Sequence, residues 1–322
     1  MKAVVTDFEG PEHVKLDDVD APSPGPDEIL VRVAATALNR ADLMQTQGFY
    51  PAPPGVVPNI PGLEYAGEVV EIGARVTRWK IGDRVMGLVA GGAWADLLVT
   101  HEREALPVPE SLTLTQAAAL PEAYCTAFDA LVTQAGMTHG TRVLIHAVAS
   151  GVGTAALQLA NLYGAIVIGT GRNDAKLTRA KALGLRHAVL VQEGQFADAV
   201  QQLGGADLAL DLVGGAYVGE TITAMNHRGT IMLVGLSAGA SSKIPLAPML
   251  NKRLRVMGTV LRARPLEEKI AVARAAQTHL VPHFASGVLK PVIDATLPMT
   301  DIVDALKRLA ANDSFGKLVL TW

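Results

Sequence analysis

The sequence predicts an α/β protein in which a doubly wound parallel sheet is inserted into a β-rich domain. Three observations carry that expectation. The apolar period changes near residue 122, from strand-like alternation to strands alternating with helices. The run Val143–Ala156, V-L-I-H-A-V-A-S-G-V-G-T-A-A, joins a buried strand to a helix through a glycine-rich turn. The last stretch of the chain returns to the texture of the first, which suits an insertion.

Taken in order, residues 1–121 alternate in K-A-V-V-T, E-I-L-V-R-V-A-A, G-E-V-V-E-I-G, D-R-V-M-G-L and W-A-D-L-L-V, as antiparallel strands do. The Pro-rich segments Ala21–Glu28 and Pro51–Gly62 read as loops, the second long enough to carry function. From 122 to 264 the spacing predicts strands over 142–147, 165–170, 187–191, 207–211 and 229–234, and a sixth at Leu254–Thr259. Helices are expected over 153–163, 174–183, 196–202 and 216–226, with Asp174 as the N-cap of the second. A helical stretch then runs from about Pro265 to Ser286, and the tail reads strand, helix, strand. The expected domains are therefore 1–121 with 265–322, and 122–264.

A chain of 322 residues, 49% apolar with a net charge of −3, can bury a large core and fold as two domains. No basic stripe appears, so nucleic acid is not an expected partner. The opening residues lack a signal-peptide core and no apolar run approaches about 20 residues, so no membrane span and a cytoplasmic location are expected. Cys125 is the single cysteine, which excludes an intrachain disulfide, a four-cysteine zinc lobe and a Cys/His/Cys zinc set. The histidines show no metal-ligand spacing; His279 and His283 are one helical turn apart but lack a nearby acid.

Gly151, Gly153 and Ala156 spell G-x-G-x-x-A, the pattern of a dinucleotide pyrophosphate site. The first glycine allows a tight turn, the second lets backbone approach phosphate, and the alanine lets helix and strand pack closely. The helix opening at Val152–Thr154 offers backbone N–H groups to an anion. The next strand, A-I-V-I-G-T, ends in Gly171, Arg172, Asn173, Asp174, with no acid poised to hold a ribose 2′-OH. Arg172 and Lys176 stand where cations would hold a 2′-phosphate, which favours NADPH over NADH; the alternative for Arg172 is a solvated surface charge.

The segments Leu38–Tyr50 (L-N-R-A-D-L-M-Q-T-Q-G-F-Y), Pro61–Val69 (P-G-L-E-Y-A-G-E-V), Trp79–Val85 (W-K-I-G-D-R-V), Leu112–Phe128 and the H-A-V-A-S-G-V-G-T-A-A turn resemble the zinc-independent quinone oxidoreductases of the medium-chain dehydrogenase/reductase superfamily. Within that branch the chain is more similar to the tumour-suppressor-induced NADPH quinone oxidoreductases of animals than to zeta-crystallin. The resemblance spans essentially the whole chain. It implies a GroES-like catalytic domain, a Rossmann domain, a cleft between them, and a homodimer built by extending the nucleotide-domain sheet. It places NADPH over Ser150, Gly151, Val152 and Gly153, with the 2′-phosphate near Lys176 and Gly171. It also puts Tyr124 and Thr126 beneath the nicotinamide and Gly235 and Leu236 near the carboxamide. Leu261 and Lys317 are further candidates for cofactor contact, Lys317 being equally readable as a surface residue. A tyrosine of relatives is replaced by Val191, so Arg172 is a candidate to supply the missing contact.

In zinc-dependent relatives a Cys matches Asn39 and a His matches Leu63, and neither residue here offers a ligand of that kind. Without a Lewis acid an alkoxide is hard to stabilise, whereas a quinone accepts hydride to give a delocalised, weakly basic anion. The resemblance points to Asn39, Asp42 and Tyr50 as catalytic groups. Asn39 could donate its amide to a carbonyl, and Tyr50 could donate its O–H and present an aromatic face. Asp42 divides evenly between an active-site role and capping a helix or pairing with Arg40. Cys125 reads as a packed side chain rather than a nucleophile. The expected activity is NADPH-dependent quinone reduction without metal; the alternatives are a reductase of α,β-unsaturated ketones or aldehydes, with Tyr50 or Tyr124 as proton donor, and a cofactor-loaded binding or structural protein.

Overall fold

A computed structural model describes residues 1–322, which divide into two units, Met1–Cys125 with Leu261–Trp322, and Thr126–Val260. Each junction lies a few residues from the expected one. The first falls inside a helix, Pro121–Phe128, with no interior Gly or Pro to mark a break.

The chain begins with an antiparallel pair, β1 (Lys2–Val5) and β2 (Lys15–Asp18). Then come β3 (Glu28–Ala37), α1 (Arg40–Thr46), β4 (Glu64–Ile72), β5 (Arg84–Leu88), β6 (Leu97–His101), β7 (Ala105–Pro107), α2 (Leu114–Ala117) and α3 (Pro121–Phe128). Of the expected strand W-A-D-L-L-V only Leu97 onward is strand, because Trp94 turns inward to full burial and Ala95 makes an isolated bridge to Ala3.

The second unit holds six parallel strands: β8 (Arg142–Ile145), β9 (Ile166–Gly171), β10 (His187–Leu190), β11 (Ala206–Asp211), β12 (Met225–Leu233) and β13 (Arg255–Gly258). Their order is β10-β9-β8-β11-β12-β13, the doubly wound arrangement expected, reversing between β8 and β11. Five helices accompany them: α4 (Gly151–Leu162), α5 (Asp174–Ala182), α6 (Ala197–Gln202), α7 (Tyr217–Ala224) and α8 (Leu246–Lys252). Helix α4 starts earlier than expected because Ser150 caps it, its Oγ accepting the Gly153 N–H at 3.0 Å. Asn173, not Asp174, caps α5; its Oδ1 accepts the Lys176 N–H at 3.1 Å, which leaves Asp174 in the first turn facing the positive end of the helix. Helix α7 also ends sooner, because Met225 is already extended and pairs with Ala206 of β11.

The return segment adds α9 (Leu266–His279), α10 (Val281–Ala285), β14 (Ile293–Pro298), α11 (Ile302–Ala310) and β15 (Lys317–Thr321). The single helix expected over 265–286 breaks at Leu280, since Pro282 has no N–H to continue the ladder. The sheet of the first unit runs β14-β15-β3-β4-β5-β7, with β6 also on β3. Pairing of Val319 with Ala37, and the bond from Leu38 N to Leu318 O at 2.9 Å, bring the end of the chain beside the residues that open α1.

Candidate active site and nucleotide-binding turn

Where β3 gives way to α1, four polar side chains are buried together in the first unit: Asn39, Asp42, Glu64 and Lys317. Lys317 Nζ is 2.7 Å from Glu64 Oε1 and donates to Leu38 O at 2.9 Å and Asn39 Oδ1 at 2.5 Å, so its three donors each have a partner. Asn39 Nδ2 donates to Ala37 O at 3.1 Å and Glu64 Oε1 at 3.0 Å. Glu64 Oε2 accepts the Glu122 N–H at 2.8 Å. Asp42 accepts the Asn39 N–H at 2.8 Å and the Gly62 N–H at 3.2 Å. Gly62 can sit there because it has φ +99 and packs directly on Trp94, where a Cβ would lie 2.5 Å from Cδ1. Burial raises the pKa of Asp42 to about 7, opposed by the Asn39 N–H and the Lys317 ammonium.

This geometry revises three expected roles. Both amide hydrogens of Asn39 are committed, so donating to a substrate carbonyl would break a buried bond. Asp42 takes the capping role, one of the two readings weighed above, and does so without pairing with Arg40. Lys317 is buried rather than a surface residue, and within the first unit its ammonium pairs with Glu64.

Tyr50 lies at the start of the Pro-rich loop, half-buried, with its ring 4.8 Å from the Arg262 Cζ and its hydroxyl without a partner in the chain. Burial raises its pKa, so it keeps its proton at neutral pH. Tyr124 is different: its hydroxyl donates to Lys290 O at 2.9 Å and it is 2% exposed, packed edge-on against Phe284. Its proton is thereby committed to a main-chain carbonyl and its ring is covered. Leu261 lines a small hollow with Leu88, Cys125 and Arg262, all within the first unit. Cys125 is buried and packed, as expected.

In the second unit the expected nucleotide-binding residues gather at the carboxyl edge of the parallel sheet: Ser150–Gly153 after β8, Gly171, Arg172 and Lys176 after β9, and Gly235 and Leu236 after β12. The N–H groups of Gly151 and Val152 have no partner within the chain. Gly153 also serves packing within the unit. A Cβ there would lie 2.3 Å from Ala147 O, so its smallness lets α4 close on the preceding turn. Arg172 is exposed, Lys176 and Leu236 are half-buried and exposed respectively, and Thr126 and Val191 are buried. Beneath the turn, His146 is wholly buried between Thr170 Oγ1 and Thr221 Oγ1, each at 2.8 Å. Thr221 already donates to Tyr217 O at 2.7 Å, so it accepts from His146, which fixes the proton on Nε2. Burial lowers the His146 pKa to about 4, and the ring is a neutral strut. Asp211, at the end of β11, accepts the Val213 and Gly214 N–H groups at 2.8 Å each and shapes the following turn.

Residues 25–110 match the alcohol dehydrogenase GroES-like domain family, and residues 151–277 the zinc-binding dehydrogenase family. The mouse quinone oxidoreductase-like protein 2 is 31% identical over 306 residues, covering 94% of this chain and 87% of that one. The chain belongs to the medium-chain dehydrogenase/reductase superfamily. The rat synaptic vesicle membrane protein VAT-1 homolog is 30% identical over 98% of this chain and 83% of that one. Among solved structures, a quinone oxidoreductase of Pseudomonas syringae superposes with a TM-score of 0.89 at 30% identity, covering 100% of this chain and 99% of that one. The two folds of the superfamily, GroES-like and Rossmann, are thus those of the first and second units.

Members of this superfamily are oxidoreductases that use a nicotinamide dinucleotide, and the free N–H groups of Gly151 and Val152 at a helix N-terminus fit its pyrophosphate. A zinc ion does not fit here. The matching positions hold Leu63 and an Asn39 whose Oδ1 is taken by an ammonium, and a dication would face the charge of Lys317 directly. Asp7, Glu9 and His13 also meet, but at the exposed surface.

Glu64, Gln45 and Arg262 were not singled out from sequence as functional residues. Glu64 sits inside the P-G-L-E-Y motif, which signals its position; Arg262 carries no local signal, since its partners are Gln45, Tyr50 and Ala90, far away in sequence.

Proposed function

We propose that this protein is an NADPH-dependent quinone oxidoreductase that works without a metal, in the cytoplasm, as a homodimer. The observation that carries the reading is the Lys317–Glu64–Asn39 network, which ties up Asn39, one of the two residues that match zinc-ligand positions, the other being Leu63. A site built this way holds a buried cation already neutralised by its own partners, and no open Lewis acid. It favours an acceptor whose reduced form needs little stabilisation, as a quinone does.

A bound nicotinamide supplies the hydride. The chain supplies positioning, apolar contact and one hydrogen-bond donor. With Asn39 and Tyr124 committed, Tyr50 is the remaining donor of the three, protonated at neutral pH and backed by Arg262. Support for NADPH comes from Arg172 and Lys176 after β9 and from the lack of an acid at the last residues of the strand, Asp174 lying beyond them in α5. Support for a dimer comes from β13, an edge strand, beside exposed Leu246 and Leu250.

The test is steady-state reduction of a quinone by wild type, Tyr50→Phe and Tyr50→Ala. One lost neutral hydrogen bond costs about 0.5–1.5 kcal/mol, so Tyr50→Phe should lower kcat/KM roughly threefold to tenfold. Tyr50→Ala should lose more, through apolar contact. A fall of about a thousandfold for Tyr50→Phe, with NADPH affinity intact, would mark Tyr50 as an obligatory proton donor and favour reduction of α,β-unsaturated ketones or aldehydes, a reading its free hydroxyl keeps open.

A further inference from the structure

Arg262 is 6% exposed, yet no carboxylate lies within ion-pairing distance of it. Its guanidinium instead binds three neutral oxygens from three separate segments. Nε donates to Ala90 O at 2.7 Å, one Nη to Tyr50 O at 2.9 Å, and the other to Gln45 Oε1 at 2.5 Å. Each partner leads to the same Pro-rich loop. Gln45 Nε2 donates to Pro58 O at 2.9 Å, and the turn after Ala90 is tied by Gly92 N to Ile60 O at 2.8 Å. The loop is thereby held at Tyr50, Pro58 and Ile60 from one charged centre. The same guanidinium covers one face of the Tyr50 ring at 4.8 Å.

A buried cation without a counter-ion is costly, and three hydrogen bonds to neutral carbonyl groups do not cancel the loss of hydration. A plain structural brace would be better served by an uncharged side chain. What a planar cation does that such a side chain does not is fix the tilt of an aromatic ring while bonding to the backbone of that same residue.

We propose that Arg262 is the positioning residue that sets acceptor specificity: it locks Tyr50 as a stacking platform, one ring face on the guanidinium and the other available to a planar aromatic acceptor. The inference rests on the quinone reading above and deepens it. It distinguishes planar aromatic acceptors, which gain from the platform, from puckered enones, which do not.

The experiment compares wild type, Arg262→Met, Arg262→Lys, Tyr50→Ala and the double variant Arg262→Met/Tyr50→Ala. Kinetics are read with a naphthoquinone and with cyclohexenone. Calorimetry reads NADPH binding and the binding of 1-naphthol, a planar ring that accepts no hydride. Arg262→Met should raise KM for the naphthoquinone tenfold or more with kcat within twofold, and weaken naphthol to the same extent. The cyclohexenone constants should change by at most about threefold, since the enone loses only part of the Tyr50 hydroxyl bond and no stacking, and NADPH affinity should stay within twofold. Arg262→Lys should recover part of the loss and serves alone should the Met variant not fold. In the Tyr50→Ala background Arg262→Met should add less than a further twofold. Equal losses for both acceptors, additive losses in the double variant, or weakened NADPH binding would overturn the proposal. A wild type that reduces no quinone but binds naphthol through Arg262 would overturn the functional reading and keep the platform; a wild type that binds no naphthol overturns the platform.

Discussion

At Asp42 two opposing effects meet in one side chain. Its two N–H donors and the Lys317 ammonium favour the carboxylate, while complete burial favours the acid and prevails, placing the pKa near 7 against an ordinary 3.8. A folded-state pKa above the unfolded one means that the folded protein holds this proton more tightly. The stability it contributes is complete below about pH 4 and is lost as the pH rises through about 7. Asp42→Asn removes that titration. Its unfolding free energy, measured in urea from pH 4 to 8, should therefore fall less steeply with pH than that of wild type. At pH 4 the variant should be less stable by about 1–3 kcal/mol, because an amide nitrogen cannot accept one of the two N–H bonds. Parallel curves would show that Asp42 ionises in the folded state as freely as in the unfolded one. Sequence brought this residue into view without choosing between cap and catalyst, since the choice depends on Gly62 and Lys317. Lys317 illustrates the general difficulty: its partner Asn39 lies at the other end of the chain, and strand pairing, which no local period encodes, joins them.

Elements whose burial follows a simple period were legible, and those set by a local hydrogen bond were less so. The strands of the parallel sheet and the turn after β8 follow from apolar runs and glycines, whereas the caps at Ser150 and Asn173 and the break at Leu280 moved the helix ends. The displaced cap matters at the end of β9. With Asn173 spent on the Lys176 N–H, Arg172 stays exposed and Lys176 is held in the first turn of α5, both at the sheet's carboxyl edge. Two cations there, with no acid at the strand end itself and Asp174 only in the following helical turn, should make the chain prefer NADPH. Each lost charged hydrogen bond costs about 1.5–3 kcal/mol, so changing both residues to Ala should raise KM for NADPH by tens of fold while hardly altering NADH use. Michaelis constants for the two dinucleotides decide it, and a wild type that prefers NADH would remove the basis of the reading.

For the molecule as a whole, the open question is what covers the edge of the six-stranded sheet. β13 pairs on one side with β12 and has no strand on its other side, and α8 nearby leaves Leu246 63% and Leu250 74% exposed, with Val260 also exposed. An uncovered strand edge beside large apolar side chains invites pairing, and a second copy related by a twofold axis would meet it with the same strand reversed, so both edges would be satisfied at once. The exposed leucines would then pack across the axis, where a stable interface needs its apolar centre. Sedimentation at micromolar concentration should accordingly find a dimer. Replacing Leu246 and Leu250 with Glu would set like charges against one another at that centre, and should yield monomers that keep their secondary structure by circular dichroism. A monomeric wild type would show that the edge stays open. A double variant that remains dimeric would place the interface on a different face of the protein.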